Sequence, residues 1–579
     1  MSKALERFAP AFAVYFLSAC TTPYTNKPIE DIDKSPQTVS LRTTFKVDGQ
    51  RGNPRVLTYL SLSGGGTRSA YFSAATMLNL QTAFNDIDLL EEVDVISAVS
   101  GGAMAAAYYV GSRDLVVYEK PLVDRLKPLI DDTPLSKKIS IVDGSTGAIS
   151  CSDKLTETEK ASLTQNLAAF PKSLSRLVQL CETRSTSGLR DWDPKTVRGL
   201  MKKNYLLPWF GRWFLPQNFI PYWLSSRDRS DIMADVFASN MYSQGILNSE
   251  LRMSDLNPNR PFLILNATSA TQREKNDPVG DTDPPFGAVF TFTQEDFLDR
   301  LGSRIDEYSV ARAVMGSSAF PLVFQNMTLA DFRKDHSKRC PSPGTDAERC
   351  SEQRYLHIFD GGNSDNLGLH SVKRSILEMA VNGRLGRDYD AVVVILVDAI
   401  TQPKGADRFV ADPRGLVSLI ADLNVTDAVD ALLKANHDKI IRDFSEGTLD
   451  WGTDCLPESR NLPLKLCDEL KQTKRTFESE LSSRMVFFHI GFEDIERVKR
   501  PDLSDDKART LEDDANKIST SFQLGHKSVR TLEDLANYVV ASDNPCLISL
   551  RVVFKQEKPT SKSISEARST CRESVPTSQ

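Results

Sequence analysis

Ser100 is the residue of this chain best placed to act as a nucleophile. It lies where an apolar run, Val93 to Val99, meets Gly101-Gly102 and then an alanine-rich stretch, Ala103 to Val110. A nucleophile elbow needs small residues two before and two after its serine, because the sharp turn presses those backbones against neighbouring chain. Gly102 meets that need, and Ala98 stands where a glycine is usual. Such a turn exposes the hydroxyl and sets backbone N–H groups at a helix N-terminus beside it. Alone, a Ser-Gly-Gly turn is equally a plain strand-to-helix loop. Gly64-Gly65-Gly66-Thr67-Arg68 is a second candidate. Its consecutive glycines let N–H groups converge on a point where negative charge develops, as an oxyanion hole requires, and Arg68 could hold the loop or add to its field. A phosphate-binding P-loop would end in Gly-Lys-Ser/Thr, and a dinucleotide fingerprint would need Gly or Ala where Ser69 stands. Oxyanion binding, phosphate binding and a tight turn all stay open for it. Asp360-Gly361-Gly362 is the third: a carboxylate on a turn after a strand can take a proton from a nucleophilic serine, though Asp-Gly turns are often only structural.

These turns need a scaffold that brings distant stretches together. Arg55 to Leu62 reads as a strand running into Gly64 to Gly66, with a helix over Ser69 to Gln81; Val93 to Val99, Ser100 and Ala103 to Val110 repeat the pattern. Two such units in succession predict an α/β fold with a mainly parallel sheet and helices on both faces. More strands are expected at Pro261 to Asn266, Tyr355 to Phe359 and Ala391 to Val397, the last apolar and β-branched enough to be buried on both faces. Short strands at Met485 to Ile490 and Leu547 to Phe554 are expected among polar helices. An irregular insertion occupies about 111–258, and no internal repeat is visible.

Taken in order, Gly64 to Arg68, Ala98-Val99-Ser100-Gly101-Gly102 and Asp360-Gly361-Gly362 resemble the signature of patatin-like phospholipases. Ser309 to Pro321, ending Ser317-Ser318-Ala319-Phe320-Pro321, is similar to that family's small-residue helix and Ser-Ser-Ala-x-Pro segment. The resemblance covers roughly residues 56–400. It implies a three-layer α/β/α patatin-like catalytic domain over 55–400, while the insertion and 401–579, expected as a C-terminal extension packing on the core, have no clear counterpart in the family. It implies Ser100 as nucleophile, Asp360 as its partner in a dyad without histidine, and Gly64, Gly65 and Gly66 with Arg68 as the oxyanion loop, with no metal and no cofactor. The implied chemistry is two-step acyl transfer on a phospholipid or lysophospholipid ester. Ala98, and Gly362 where many plant members carry Ala, depart from the family pattern by small residues only.

Two rival readings remain. Asp398 with His437 or His489 follows Ser100 in the order of a Ser-His-Asp esterase. None of the six histidines, at 336, 357, 370, 437, 489 and 526, sits on a recognisable catalytic loop, and Asp398 would equally cap a strand end. The other rival is a non-catalytic lipoprotein using the fold as a binding module, against which Ser100 and Asp360 being kept together argues.

The N-terminus bears on location. Lys3 and Arg7 precede an apolar run, Phe8 to Leu17, that is short of the ~20 residues a bilayer needs and so reads as a secretory signal. Leu17-Ser18-Ala19-Cys20 resembles the lipobox of bacterial lipoproteins, which implies a signal peptide over 1–19, lipidation at Cys20, a tether over 20–54 and an anchor in the cell envelope. Thr21, where an Asp would favour the inner membrane, favours an outer-membrane site. An ordinary signal peptide with a chance cysteine is the alternative. Of nine cysteines, eight remain beyond Cys20, an even number that suggests disulfides in an exported protein. Cys151/Cys181, Cys340/Cys350, Cys455/Cys467 and Cys546/Cys571 are neighbours in sequence, although sequence cannot choose among 105 connectivities. Zinc fits poorly, since no Cys-x-x-Cys and no suitably spaced His is present. Asn204 to Leu224 carries three of the five tryptophans beside Lys202, Lys203 and Arg212, and reads equally as an interfacial lid or as an insertion folded on the core. With 26% charged and 40% hydrophobic residues the chain is globular, and a net charge of -6 without a long basic run argues against nucleic acid as a partner.

Overall fold

The computed structural model describes residues 26–28 and 52–572, apart from short breaks and the stretches 182–191, 216–227, 272–284, 334–353, 402–436 and 473–480. The signal and lipobox readings, Cys20, Cys340 and Cys350 lie outside the described residues. Both expected strand, glycine turn, helix units are present. Strand β1 (Val56–Leu62) leads into α1 (Gly66–Thr82), and β2 (Val95–Val99) leads into α2 (Ser100–Gly111). The insertion then supplies α3 (Pro194–Met201), α4 (Leu206–Trp213) and α5 (Arg229–Asn240). The chain returns to the sheet with β3 (Phe262–Ser269) and β4 (Val289–Thr291), turns through α6 (Val310–Ser317), and adds β5 (Met327–Asp331) and β6 (Arg354–Asp360). Helix α7 (Leu369–Val381), β7 (Ala391–Val397) and β8 (Met485–Ile490) follow, then α8 (His526–Val539), α9 (Pro545–Lys555) and α10 (Ser561–Arg572).

The sheet runs in the order β5-β6-β3-β2-β1-β7-β8, with β4 also paired to β3. From β3 to β8 all neighbours are parallel, while β4, β5 and β6 are antiparallel. Successive side chains of the strands alternate between two cores. Leu60, Leu62, Ile96, Val393, Ile395 and Phe488 belong to a core on one face, and Leu57, Tyr59, Val95, Val392, Val394 and Phe487 to a core on the other. Both faces are therefore covered, which is why β7 reads as an unbroken apolar run and is buried at all seven positions.

The register sets the site. Leu62 lies opposite both Val397 and Ala98, Val99 lies opposite Asn266, and Asp360 lies opposite Ala267. The end of β6 therefore meets the carboxyl ends of β1, β2 and β7 at one edge of the sheet, where ligands of open α/β sheets bind.

One expectation changes, and two regions gain detail. Leu547 to Phe554 is helical within α9: Asn544 caps it, Pro545 opens it, and Leu547, Leu550, Val553 and Phe554 bury one helical face. The tether is not wholly detached, since Lys27–Pro28 pairs with Ser303–Arg304 and Asn26 is buried against Ser303 and Ala330. The insertion is not one body: Leu122 to Cys181 hold a small core of their own, whereas Trp192, Tyr205, Trp209 and Phe237 join the main core. The C-terminal region supplies β8 to the sheet and Leu532, Leu535, Leu547 and Leu550 to the main core. Disulfides join Cys151 to Cys181, Cys455 to Cys467 and Cys546 to Cys571.

Candidate active site

Ser100 follows β2 directly and begins α2 at φ 49°, the one positive-φ residue other than glycine among the described residues. Holding an L-residue in that region costs roughly 1–2 kcal/mol, so the surroundings must enforce it. A Cβ on Gly101 would stand 1.9 Å from the carbonyl oxygen of Gly66, and one on Gly102 would stand 2.7 Å from the carbonyl oxygens of Leu62 and Ser63. The two glycines are therefore required by close approach of the β1 turn to the elbow. Ala98 is fully buried within β2, where a methyl group is accommodated. The backbone N–H of Ser100 donates to Ser317 Oγ at 2.9 Å, and Ser317 Oγ donates to the Asn266 carbonyl at 2.6 Å, so the end of α6 clasps the elbow.

Ser100 Oγ donates to Asp360 Oδ2 at 2.9 Å. The other carboxylate oxygen accepts the Gly362 N–H at 2.7 Å. The same α6 segment fixes the Asp360 turn, because the N–H of Asp360 donates to Ala319 O and that of Gly361 to Ser317 O, both at 3.1 Å. Asp360 is buried, and burial pushes its carboxyl up to about 6, against the opposing pull of the Gly362 and Ser100 bonds. The result is a carboxylate more basic than usual, in contact with a hydroxyl on a strained turn.

The triglycine loop lies beside them. Gly65 has φ 136° and Gly66 φ 60°, so both need glycine. A Cβ on Gly64 would stand 3.4 Å from Ser100 Cβ, which places the loop against the nucleophile candidate. Gly66 opens α1, where N–H groups have no intrahelical acceptor, and Gly65 caps it.

Residues 60–373, more than half of the chain, match the family model described as patatin-like phospholipase. The chain belongs to the patatin-like phospholipase family. No curated protein matches it. Solved structures similar to it include human GIVD cytosolic phospholipase A2, at 12% identity over 92% of this chain and 63% of that one with a TM-score of 0.39. VipD from Legionella pneumophila matches at 13% identity over 90% and 74% with a TM-score of 0.26. The ExoU-SpcU complex from the type III secretion system of Pseudomonas aeruginosa matches at 12% over 87% and 78% with a TM-score of 0.19. The chain thus spans less than two thirds of the human protein.

Within this patatin-like frame, the expectation for Gly64 changes, and of the two roles open to Arg68 the structure shows the one that holds the loop. The Gly64 N–H is already donated to Asn366 O at 2.8 Å, which leaves Gly65 and Gly66 as the loop's donors. Arg68 is buried and turned to the chain's own backbone: Nε donates to Ala399 O at 2.9 Å and Nη1 donates to Ile518 O. It is a strut between the loop, the end of β7 and the C-terminal region, not a charge aimed at Ser100. The histidine arrangement also resolves differently. His437 does meet Asp398, Nε2 to Oδ2 at 2.6 Å, but its Nδ1 lies 3.0 Å from Asp438. His489 has Nδ1 2.8 Å from Asp494 and Nε2 3.5 Å from Asp398. With carboxylates on both ring nitrogens neither imidazole has a lone pair for a serine proton, and Ser100 is bonded to Asp360 instead.

Sequence reasoning missed the polar floor beneath the site. Asn266 Nδ2 donates to Ser97 Oγ at 2.9 Å and Ala98 O at 3.0 Å, Ser97 Oγ donates to Gly368 O and Ser61 Oγ to Leu367 O, both at 2.6 Å. These bonds pin the loop after Asp360 to β1 and β2. The available signal was the presence of Ser61, Ser97 and Asn266 inside otherwise apolar strands.

Proposed function

We propose that the chain is a serine acyl hydrolase of phospholipase or lysophospholipase type, anchored in a bacterial envelope through Cys20, and that Ser100 and Asp360 carry its chemistry. The carrying observation is the 2.9 Å bond from Ser100 Oγ to Asp360 Oδ2 on an elbow beside the triglycine loop. In the first step Ser100 Oγ attacks the ester carbonyl as its proton passes to Asp360. The tetrahedral oxyanion takes the N–H groups of Gly65 and Gly66, held at the start of α1 where the helix dipole also favours negative charge. Collapse expels the alcohol, which takes the proton back from Asp360 and leaves an acyl-enzyme on Ser100. Water, deprotonated by Asp360, then releases the fatty acid and restores the hydroxyl. A carboxylate is a weaker base than imidazole, and the burial that raises Asp360 to about 6 narrows that gap.

Hydrolysis of phosphatidylcholine and lysophosphatidylcholine by purified full-length protein tests this. Ser100→Ala should abolish turnover and Asp360→Asn should lower it about 10²- to 10⁴-fold. Turnover unchanged in Asp360→Asn would refute the dyad. The anchor is tested separately: incorporation of radiolabelled fatty acid in cells should vanish in Cys20→Ser, and persistent labelling would place the lipid elsewhere.

A further inference from the structure

A helix that is apolar all round belongs in a core or against a membrane. Helix α4, Leu206–Trp213, has Arg212 as its one charged residue, and that guanidinium is turned to Asp235 O at 2.8 Å and Ser239 Oγ at 2.7 Å. Its inner side is accounted for: Trp209 is buried, stacks edge-on against Trp213 and Phe324, and donates its indole N–H to Arg229 O. Its outer side faces water: Leu207 is 71% exposed, and Phe210, which packs edge-on against Trp209, is 56% exposed, followed by Leu215 at 40%. Clustered large apolar side chains facing water mark a contact surface, whereas single ones do not.

Two further observations select the occupant. The described helices and loop of 194–213 hold Lys195, Arg198, Lys202, Lys203 and Arg212 and no acidic residue in a chain whose net charge is -6, with Arg198 paired to Glu533. Lys202 and Lys203 are exposed directly ahead of α4. The patch is also joined to the Ser100 site. Trp209 packs on Phe324, whose N–H donates to Phe320 O, and Phe320, itself 40% exposed, follows Ala319, the residue that accepts the N–H of Asp360. We infer that the outer face of α4, with Lys202 and Lys203, docks on an anionic lipid bilayer and so brings the Ser100 site to the membrane surface. Apolar side chains enter the headgroup boundary while the lysines meet lipid phosphates, the arrangement of an interfacial helix. This rests on the acyl-hydrolase reading for its purpose but not for its test.

The test uses the full chain with Cys20→Ser, so that no acyl anchor contributes, and sedimentation with vesicles of phosphatidylglycerol and phosphatidylcholine in equal parts or of phosphatidylcholine alone. Wild-type surface should favour the anionic vesicles. Leu207→Asp with Phe210→Asp should lower partitioning at least tenfold, and each of Lys202→Gln and Lys203→Gln about fivefold. Hydrolysis of a short-chain, monomeric soluble ester should stay within about twofold in all of them, which also reports folding, since none of these side chains is among the hydrogen-bond partners of Ser100 or Asp360. Partitioning unchanged in the double aspartate variant, or no vesicle binding by the wild-type surface, overturns the inference. So does a dimer in the starting protein that the aspartates convert to monomer, which would make a second copy the occupant. Failure of the hydrolase reading looks different: vesicle binding persists while the soluble ester is not cleaved.

Discussion

Asp360 combines two properties that pull apart stability and chemistry. Its buried carboxyl is pushed up to about 6 from an ordinary value near 4, so between those pH values the folded chain holds a proton that the unfolded chain has released. The group's contribution to stability is therefore greatest in acid and falls as pH rises through about 6, by on the order of 3 kcal/mol, while its basic form predominates only above that pH. Two outcomes are expected. kcat/KM should rise with pH along a single acid limb near 6, and a flat profile from pH 5 to 8 would mean that Asp360 is not the base. Asp360→Asn should melt no lower than wild type at pH 7.5 despite its loss of turnover, checked by Tm. Gly101→Ala makes the opposite prediction, because its methyl group would stand 1.9 Å from Gly66 O: unfolding in denaturant should show a loss of about 2–4 kcal/mol together with lost turnover.

At the level of elements, the elbow and the Asp360 turn are held by one short piece of chain. Ser317 and Ala319, at the end of α6, take the N–H groups of Ser100, Asp360 and Gly361 or supply the atoms that do. This division explains what was legible in the sequence. Gly64 to Gly66, Ser100 to Gly102 and Asp360-Gly361 announce themselves because steep turns and close approaches restrict residue types locally. The roles of Ser317, Asn266 and Asn366 are made by tertiary pairing, and nothing local marks Gly64 N–H as already bonded to Asn366. Arg68 shows the same limit: a cation beside an oxyanion loop invites an electrostatic role, yet its partners come from residues 399 and 518. Leu547 to Phe554 failed for another reason, since a short apolar run fits a strand or a buried helix face until its Asn544-Pro545 cap is weighed. The Cys151–Cys181 bond closes about 30 residues around the small core of the insertion. Replacing both by Ser should remove roughly 3–4 kcal/mol from that unit, seen as faster hydrogen exchange over 122–181, with exchange in β1, β2 and β7 unchanged.

For the whole molecule, the C-terminal region is an integral part of the sheet. Asp398 at the end of β7 is joined to His437 of the 437–446 helix and to His489 at the end of β8, with Asp494 beyond. Although burial opposes charge on the imidazoles, Asp398 and Asp438 raise His437 and Asp494 raises His489, while the two histidines hold Asp398 far below the usual carboxylate range. The histidine contribution is present below about 6.5 and lost as pH rises through their raised values; the Asp398 contribution is present above about 4 and lost as pH falls. The network therefore stabilises the join between these limits. His437→Gln should cost about 3 kcal/mol in denaturant unfolding at pH 6 and leave ester turnover of the folded protein within about threefold. A collapse of turnover in that folded variant would instead revive a histidine base. In the proposed reaction Ser100, activated by Asp360, becomes acylated. This step is tested most directly by reacting the purified full chain with a fluorophosphonate and locating the added mass by peptide mass spectrometry. A single adduct on Ser100 is expected, absent in Ser100→Ala, strongly slowed in Asp360→Asn and retained in His437→Gln. No adduct on the folded wild type, or one that persists at full rate in Asp360→Asn, would contradict that step.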